Sequence, residues 1–168
     1  DKGIREYVAA AAQIKLKHPQ VRFLLVGPID DNPTAISTRE LQSWIDEGTV
    51  EYLGFLQDVR PAITQCSIYV LPSYREGTPR SILEAMAMGR PIITTDAPGC
   101  RETVKNGVNG YLIPVRDTNA LVVSMEKLIV SPELRYQFGV ASRHIAEEKY
   151  DVNKVNQQML MAMQLTNT

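Results

Sequence analysis

The stretch Ile68-Tyr-Val-Leu-Pro-Ser-Tyr-Arg-Glu-Gly-Thr-Pro-Arg-Ser-Ile-Leu-Glu84 decides the fold. Ile68 to Leu71 is a β-rich run closed by a proline, and the polar loop after it leads to Thr78-Pro79. Threonine favours the N-cap and proline the first helical position, so a helix is predicted from Thr78-Pro79, ending at Gly89. A further strand, Pro91 to Thr94, follows at once. A strand, a helix and a strand at such short spacing signal a parallel sheet covered by helices.

The same rhythm extends in both directions. Upstream, Ile4 to Lys17 reads as a helix with Ile4, Val8, Ala11, Ala12 and Leu16 on one stripe, stopped by His18-Pro19. Val21 to Gly27 reads as a buried strand, followed by a polar loop from Pro28 to Pro33 and a helix to about Glu47, capped by Gly48. Val50 to Gly54 is the next strand, and a short helix lies around Pro61 to Gln65. Downstream come a strand at Tyr111 to Ile113 and helices over Asn119–Val130, Pro132–Glu148 and Val152–Leu165. With no repeat and no low-complexity linker, residues 1–168 read as a single α/β domain: a Rossmann-like, doubly wound parallel sheet. Ligands of such sheets sit beyond the carboxyl ends of the strands, so the loops after Gly27, Gly54, Leu71 and Thr94 are where chemistry is sought.

Composition narrows the function classes. The chain has 168 residues, is 44% apolar, and balances 18 basic against 19 acidic side chains. That is enough to bury a core without a disulfide or structural metal. Cys66 and Cys100 make no C-x-x-C pair and read as reduced thiols of a cytoplasmic protein. Without a strongly basic face the chain is not a dedicated nucleic-acid binder. No apolar run approaches the ~20 residues of a membrane span, and the N-terminal residues resemble no signal peptide.

The loop from Pro72 to Glu84 is the richest of the edge loops. The free N–H groups of the helix's first turn, aided by its dipole, make an anion site on the ligand edge. Gly77, lacking a Cβ, lets a phosphate or the sugar on it approach the backbone. Glu84 lies about 7–8 Å beyond Pro79 along the axis, at 1.5 Å per residue, which matches the reach from a diphosphate to a ribose hydroxyl. Its carboxylate could accept from both ribose hydroxyls, while Glu76 could meet a sugar hydroxyl on the other side of the phosphates. Alternatively, Glu84 could pair with Arg80 at i,i+4, and Glu76 could be an ordinary loop acid.

The run Arg75-Glu-Gly-Thr-Pro-Arg-Ser-Ile-Leu-Glu-Ala-Met-Ala-Met-Gly-Arg-Pro-Ile-Ile-Thr-Thr-Asp96 resembles the core motif of retaining glycosyltransferases of the GT-B fold, group 1 family, of family four type. The resemblance spans most of the chain: Lys2-Gly3, Phe23-Leu-Leu-Val-Gly27, Leu53-Gly54-Phe55, Glu102-Thr-Val and Asn109-Gly-Tyr-Leu. It implies the second, C-terminal domain of a GT-B enzyme, which binds a nucleotide sugar, with the acceptor domain and the family's upstream arginine outside this chain. The sheet is accordingly expected to lack the family's first strand.

By this resemblance Lys2 binds the donor diphosphate, Glu76 touches the transferred sugar and Glu84 holds the ribose, Lys2 and Glu76 being the catalytic pair. Gly77, Thr78, Arg80, Ser81 and Ile82 surround the phosphates, and Gly27 joins the donor-binding set. Leu56 belongs to the segment Leu53-Gly-Phe-Leu56 whose backbone reads the base, although Leu53 and Phe55 could equally be core. No metal and no cofactor are implied, and adjacent Asp30-Asp31 reads as solvated. His18 and His144 lack a nucleophilic constellation. Glu102 could approach the donor sugar or carry the charge of a helix end.

Gly-Thr-Pro-Arg-Ser and Pro98-Gly-Cys-Arg-Glu-Thr-Val point more finely to enzymes of bacterial surface polysaccharide assembly. Many of those use UDP-sugars, and their acceptors are commonly sugars on a polyprenyl diphosphate at the inner face of the cytoplasmic membrane. The alternatives are a nucleotide-sugar-binding module without activity, a UDP-sugar epimerase of the same architecture, and a flavodoxin-like interaction domain. The Met-rich last helix, with Val155, Met159, Leu160, Met161, Met163 and Leu165, packs on its own domain or docks in part on the absent one.

Overall fold

A computed structural model of the chain describes residues 1–29, 32 and 35–162. In order these form α1 (Ile4–Lys17), β1 (Leu24–Leu25), α2 (Thr38–Asp46), β2 (Glu51–Tyr52), α3 (Arg60–Gln65), β3 (Tyr69–Leu71), α4 (Arg80–Ala87), β4 (Ile92–Thr95), β5 (Gly110–Ile113), α5 (Thr118–Val130), α6 (Pro132–Lys149) and α7 (Val152–Ala162). Asp30, Asp31, Met163 and Leu165, together with the end of the predicted last helix, lie outside the described residues.

All strand pairing is parallel, but the single sheet expected from the sequence is divided into two: β1 with β2, and β3–β4–β5 in that order. The period of two along these strands feeds two cores. Val70, Ile93, Tyr111 and Ile113 point to the face covered by α1 and α5, where Val8, Ala11, Ile14, Leu121, Met125 and Leu128 are buried. Tyr69, Leu71, Ile92 and Leu112 point to the other face, where Ile82, Ala85 and Met86 of α4 pack with Ile63 and Ala146. Helices on both faces of a parallel sheet make the doubly wound α/β fold.

The apolar runs are longer than the ladders they form. Val21 to Gly27 contributes only Leu24–Leu25 to a strand, and Val50 to Gly54 only Glu51–Tyr52. Single bonds from Glu51 N to Phe23 O, Leu53 N to Leu25 O and Gly27 N to Gly54 O continue the pairing beyond them. Phe23 and Val50 are apolar because they are buried, at 5% and 2% exposure, not because they sit mid-ladder.

The stripe expected on α1 needs correction. Val8, Ala10, Ala11 and Ile14 are buried, whereas Leu16 is 87% exposed and Ala12 faces solvent. Leu16 lies about 140° round the helix from Ala11 at 100° per residue, while Ile14 stays on the face of Val8 and Ala11. Helix α4 also begins one residue late: Pro79 occupies the N-cap in an extended conformation, Arg80 is the first helical residue, and no side chain caps the end. Thr78 therefore stays in the loop. Downstream, Asp117 caps α5 through Ala120 N (2.8 Å) and Ser131 caps α6 through Leu134 N (3.2 Å). Three arginines serve helix C-termini: Arg90 bonds Ile63 O and Thr64 O of α3, Arg135 bonds Leu128 O and Ile129 O of α5, and Arg143 bonds Ala87 O of α4. Among the described residues no helix is long and apolar enough to cross a membrane.

Candidate functional site

The loop between β3 and α4 is gripped from three sides. Beneath it, Thr94 Oγ1 donates to Leu71 O at 2.7 Å and Thr95 Oγ1 donates to Ser73 O, so β4 fixes where the loop leaves the sheet. On one flank Gly3, at φ 67°, sits so close to Pro72 that a Cβ would lie 2.1 Å from its carbonyl oxygen. Tyr74 N donates to Asp1 O at 2.8 Å on the same flank. On the other, Glu76 N reaches Pro98 O at 3.4 Å, and Gly99, at φ 81°, is in such contact that a Cβ would meet Gly77 O at 1.7 Å.

This grip brings Lys2 and Glu76 together. Lys2 Nζ stands 2.6 Å from Glu76 Oε1, with the lysine side chain 60% exposed and the glutamate 13%. The ammonium is anchored yet open to solvent on its outer side. Beside the pair, the backbone N–H groups of Gly77, Thr78, Arg80 and Ser81 meet no acceptor among the described residues. The N–H of Ile82 is already given to Pro79 O at 3.0 Å, and its side chain is fully buried in the α4 core. Of the predicted phosphate-side residues, Ile82 is thus a packing residue. The open donors end at Ser81.

Glu84 is exposed on α4, and among the described residues its carboxylate makes no hydrogen bond or ion pair. The i,i+4 pair with Arg80 does not form; Arg80 is itself exposed. Ser81 is half-buried beside Tyr69 of β3, whose phenol burial pushes up to about 12. Gly27 and Leu56 follow the carboxyl ends of β1 and β2, the strands of the two-stranded sheet. Gly27 O accepts from Tyr52 at 2.7 Å, Leu56 is half-buried, and Phe55 between Gly54 and Leu56 is 66% exposed. Among the described residues neither Gly27 nor Leu56 has a hydrogen bond to the motif loop.

Other residues weighed in the sequence fall outside this cluster. Glu102 is exposed; its carbonyl, not its carboxylate, is engaged, accepting from Lys149 Nζ (2.7 Å) and Tyr150 hydroxyl (2.8 Å). His144 faces Glu148 at 3.5 Å on the surface of α6, and His18 follows the end of α1. Among the described residues no group of three His, Cys, Asp or Glu side chains is placed to hold a metal. Asn109 of the Asn-Gly-Tyr-Leu match is wholly buried, its Oδ1 taking Lys105 N (2.8 Å) and its Nδ2 reaching Thr103 O (3.2 Å).

Sequence reading missed a constellation beside the pair. Tyr74 hydroxyl donates to Glu6 Oε1 at 2.5 Å, and the Arg116 guanidinium lies 4.6 Å from the centre of the Tyr74 ring. Burial and then the Glu6 bond raise the Tyr74 phenol above its ordinary value. Tyr74 sits inside the motif, but nothing in the sequence pointed to its partners on α1 and before α5.

Residues 1–131 match the family model described as "Glycosyl transferases group 1". The chain is 35% identical over 95% of its length to an N,N'-diacetylbacillosaminyl-diphospho-undecaprenol alpha-1,3-N-acetylgalactosaminyltransferase of Campylobacter jejuni, and spans 40% of that protein. It is 29% identical over 89% of its length to a capsular polysaccharide biosynthesis glycosyltransferase, CapM, of Staphylococcus aureus, of which it spans 39%. Among solved structures, Anabaena Alr3699/HepE in complex with UDP superposes with a TM-score of 0.88 at 28% identity, over 98% of this chain and 46% of that one. With a family match over most of its length and a parallel sheet laid out as in these enzymes, the chain belongs to the group 1 glycosyl transferases and has the fold of a GT-B C-terminal domain.

Proposed function

We propose that this chain is the donor-binding half of a retaining glycosyltransferase, of hexosyl or N-acetylhexosaminyl type. It would move a sugar from a UDP-sugar to a glycan or polyprenyl-diphosphate-linked acceptor in polysaccharide biosynthesis. The observation that carries the reading is Lys2 Nζ held at 2.6 Å from Glu76 beside a run of unengaged backbone N–H groups. A diphosphate laid on those N–H groups gains their dipoles and the Lys2 charge. Both interactions strengthen as charge builds on the departing nucleotide, which is where a transferase needs them.

In this reading Glu76 receives a hydroxyl of the transferred sugar, and Glu84, exposed and unpaired on α4, receives the ribose hydroxyls. Gly77 leaves room above the loop, while Gly27 and the backbone at Leu56 face the base from the neighbouring strands. No metal or cofactor is required, since cations and dipoles of the chain itself supply the positive charge. UDP as the nucleotude carrier is supported by the UDP complex of Anabaena Alr3699/HepE, and a polyprenyl-diphosphate acceptor by the name of the Campylobacter jejuni relative. The acceptor would be held by an additional domain, working at the inner face of the cytoplasmic membrane.

Calorimetric titration of UDP into the chain and into Glu84→Ala tests the reading. Loss of hydrogen bonds to a charged group weakens binding by about 1–3 kcal/mol, roughly 5- to 150-fold. Equal affinities would remove Glu84 from the ribose role. A protein carrying both domains that binds UDP-sugar but neither transfers nor hydrolyses it would make this a binding module.

A further inference from the structure

Among the described residues Arg116 is the non-glycine residue with a positive φ, at 62°. A side chain in that region crowds its own backbone, whereas glycine takes the conformation freely. The position is a turn before α5, where glycine would serve the backbone better. Glu6 shows a second costly feature: Oε1 accepts from Tyr74, while Oε2 is buried without a partner. A half-satisfied buried carboxylate is expensive to keep.

Both features converge on Tyr74. Its ring lies under the Arg116 guanidinium, its hydroxyl on Glu6, and its N–H on Asp1 O. Glu6 and Asp1 bracket Lys2-Gly3, and Tyr74 is two residues before Glu76. Tyr74 is thus the side chain that ties the segment carrying Lys2 to the loop carrying Glu76. Local features that cost stability and persist concentrate where geometry matters to function.

We propose that Arg116 and Glu6 are positioning residues of the donor site: acting through Tyr74, they set the Lys2–Glu76 geometry. The inference rests on the donor-site reading above. Arg116 is kept in a strained conformation for the sake of the site, so its effects on stability and on binding run in opposite directions.

The test measures thermal unfolding and UDP affinity for the wild-type chain, Arg116→Gly, Arg116→Lys, Tyr74→Phe and Glu84→Ala. Arg116→Gly should keep or raise Tm while UDP affinity falls about 2- to 30-fold, the range for residues that act on a site through neighbours. Arg116→Lys should regain part of that affinity, since an ammonium also sits on an aromatic face. Tyr74→Phe, which keeps the ring and loses the Glu6 bond, should weaken UDP binding too, and it carries the test if Arg116→Gly fails to fold. Unchanged affinity in Arg116→Gly and Tyr74→Phe, with binding lost in Glu84→Ala, overturns the positioning role and leaves the donor site standing. A wild-type chain that binds no UDP at millimolar concentration overturns the donor site and this inference with it.

Discussion

The Lys2–Glu76 contact is short, yet the ammonium is 60% exposed, so solvent screens most of what the pair gives to stability. Exposed ion pairs contribute about 0–1 kcal/mol. Lys2→Ala should accordingly move Tm by no more than about 2–4 °C while weakening UDP binding, and a larger fall in Tm with intact binding would make Lys2 a structural residue. Tyr69 behaves oppositely. Burial pushes its phenol up to about 12, above the value near 10 in an unfolded chain. Its protonated form is favoured by folding, so the associated stability is fully present below about pH 10 and is lost as pH rises toward 12, because the unfolded chain ionises first. Urea denaturation between pH 8 and 12 should show a decline of up to about 1.4 kcal/mol per pH unit from this group. Tyr69→Phe should flatten it by that amount, leaving the decline from Tyr7, whose phenol burial raises further than that of Tyr69.

Helix α4 carries the site on one end and a core on its inner side. Ile82, Ala85 and Met86 are fully buried against β3, β4 and α6, so the open N–H groups at its start sit on an element that cannot drift. Met86→Ala should cost about 2–5 kcal/mol by lost transfer and the cavity left behind, read from the urea midpoint. A cost under about 1 kcal/mol would mean that the site's platform is soft. The strand–loop–helix order and the carboxyl-edge location of the motif were legible in the sequence, since each follows from local chemistry. The start of α4 and the buried stripe of α1 were not. Pro79 suited either of two adjacent positions, and Leu16 is as apolar as Ile14 although solvent receives it. The Glu6–Tyr74–Arg116 contact escaped for a similar reason: it joins α1, the motif loop and the turn before α5, and no local pattern records a contact across the fold.

At the scale of the molecule, alternate residues of β3, β4 and β5 supply two cores, and the loop that carries Glu76 leaves the sheet at the carboxyl end of β3. The chain spans about two-fifths of the Campylobacter jejuni and Staphylococcus aureus relatives. The approach of Gly99 to Gly77 bears on how such a protein can vary. Every single-base change of a glycine codon that alters the residue adds at least a β-carbon, and at position 99 that carbon would fall 1.7 Å from Gly77 O. Position 99 therefore has no tolerated neighbour one mutational step away. Sequence change is left to positions such as Phe55 or Thr78, whose side chains already face solvent and can change without moving the backbone of the loop.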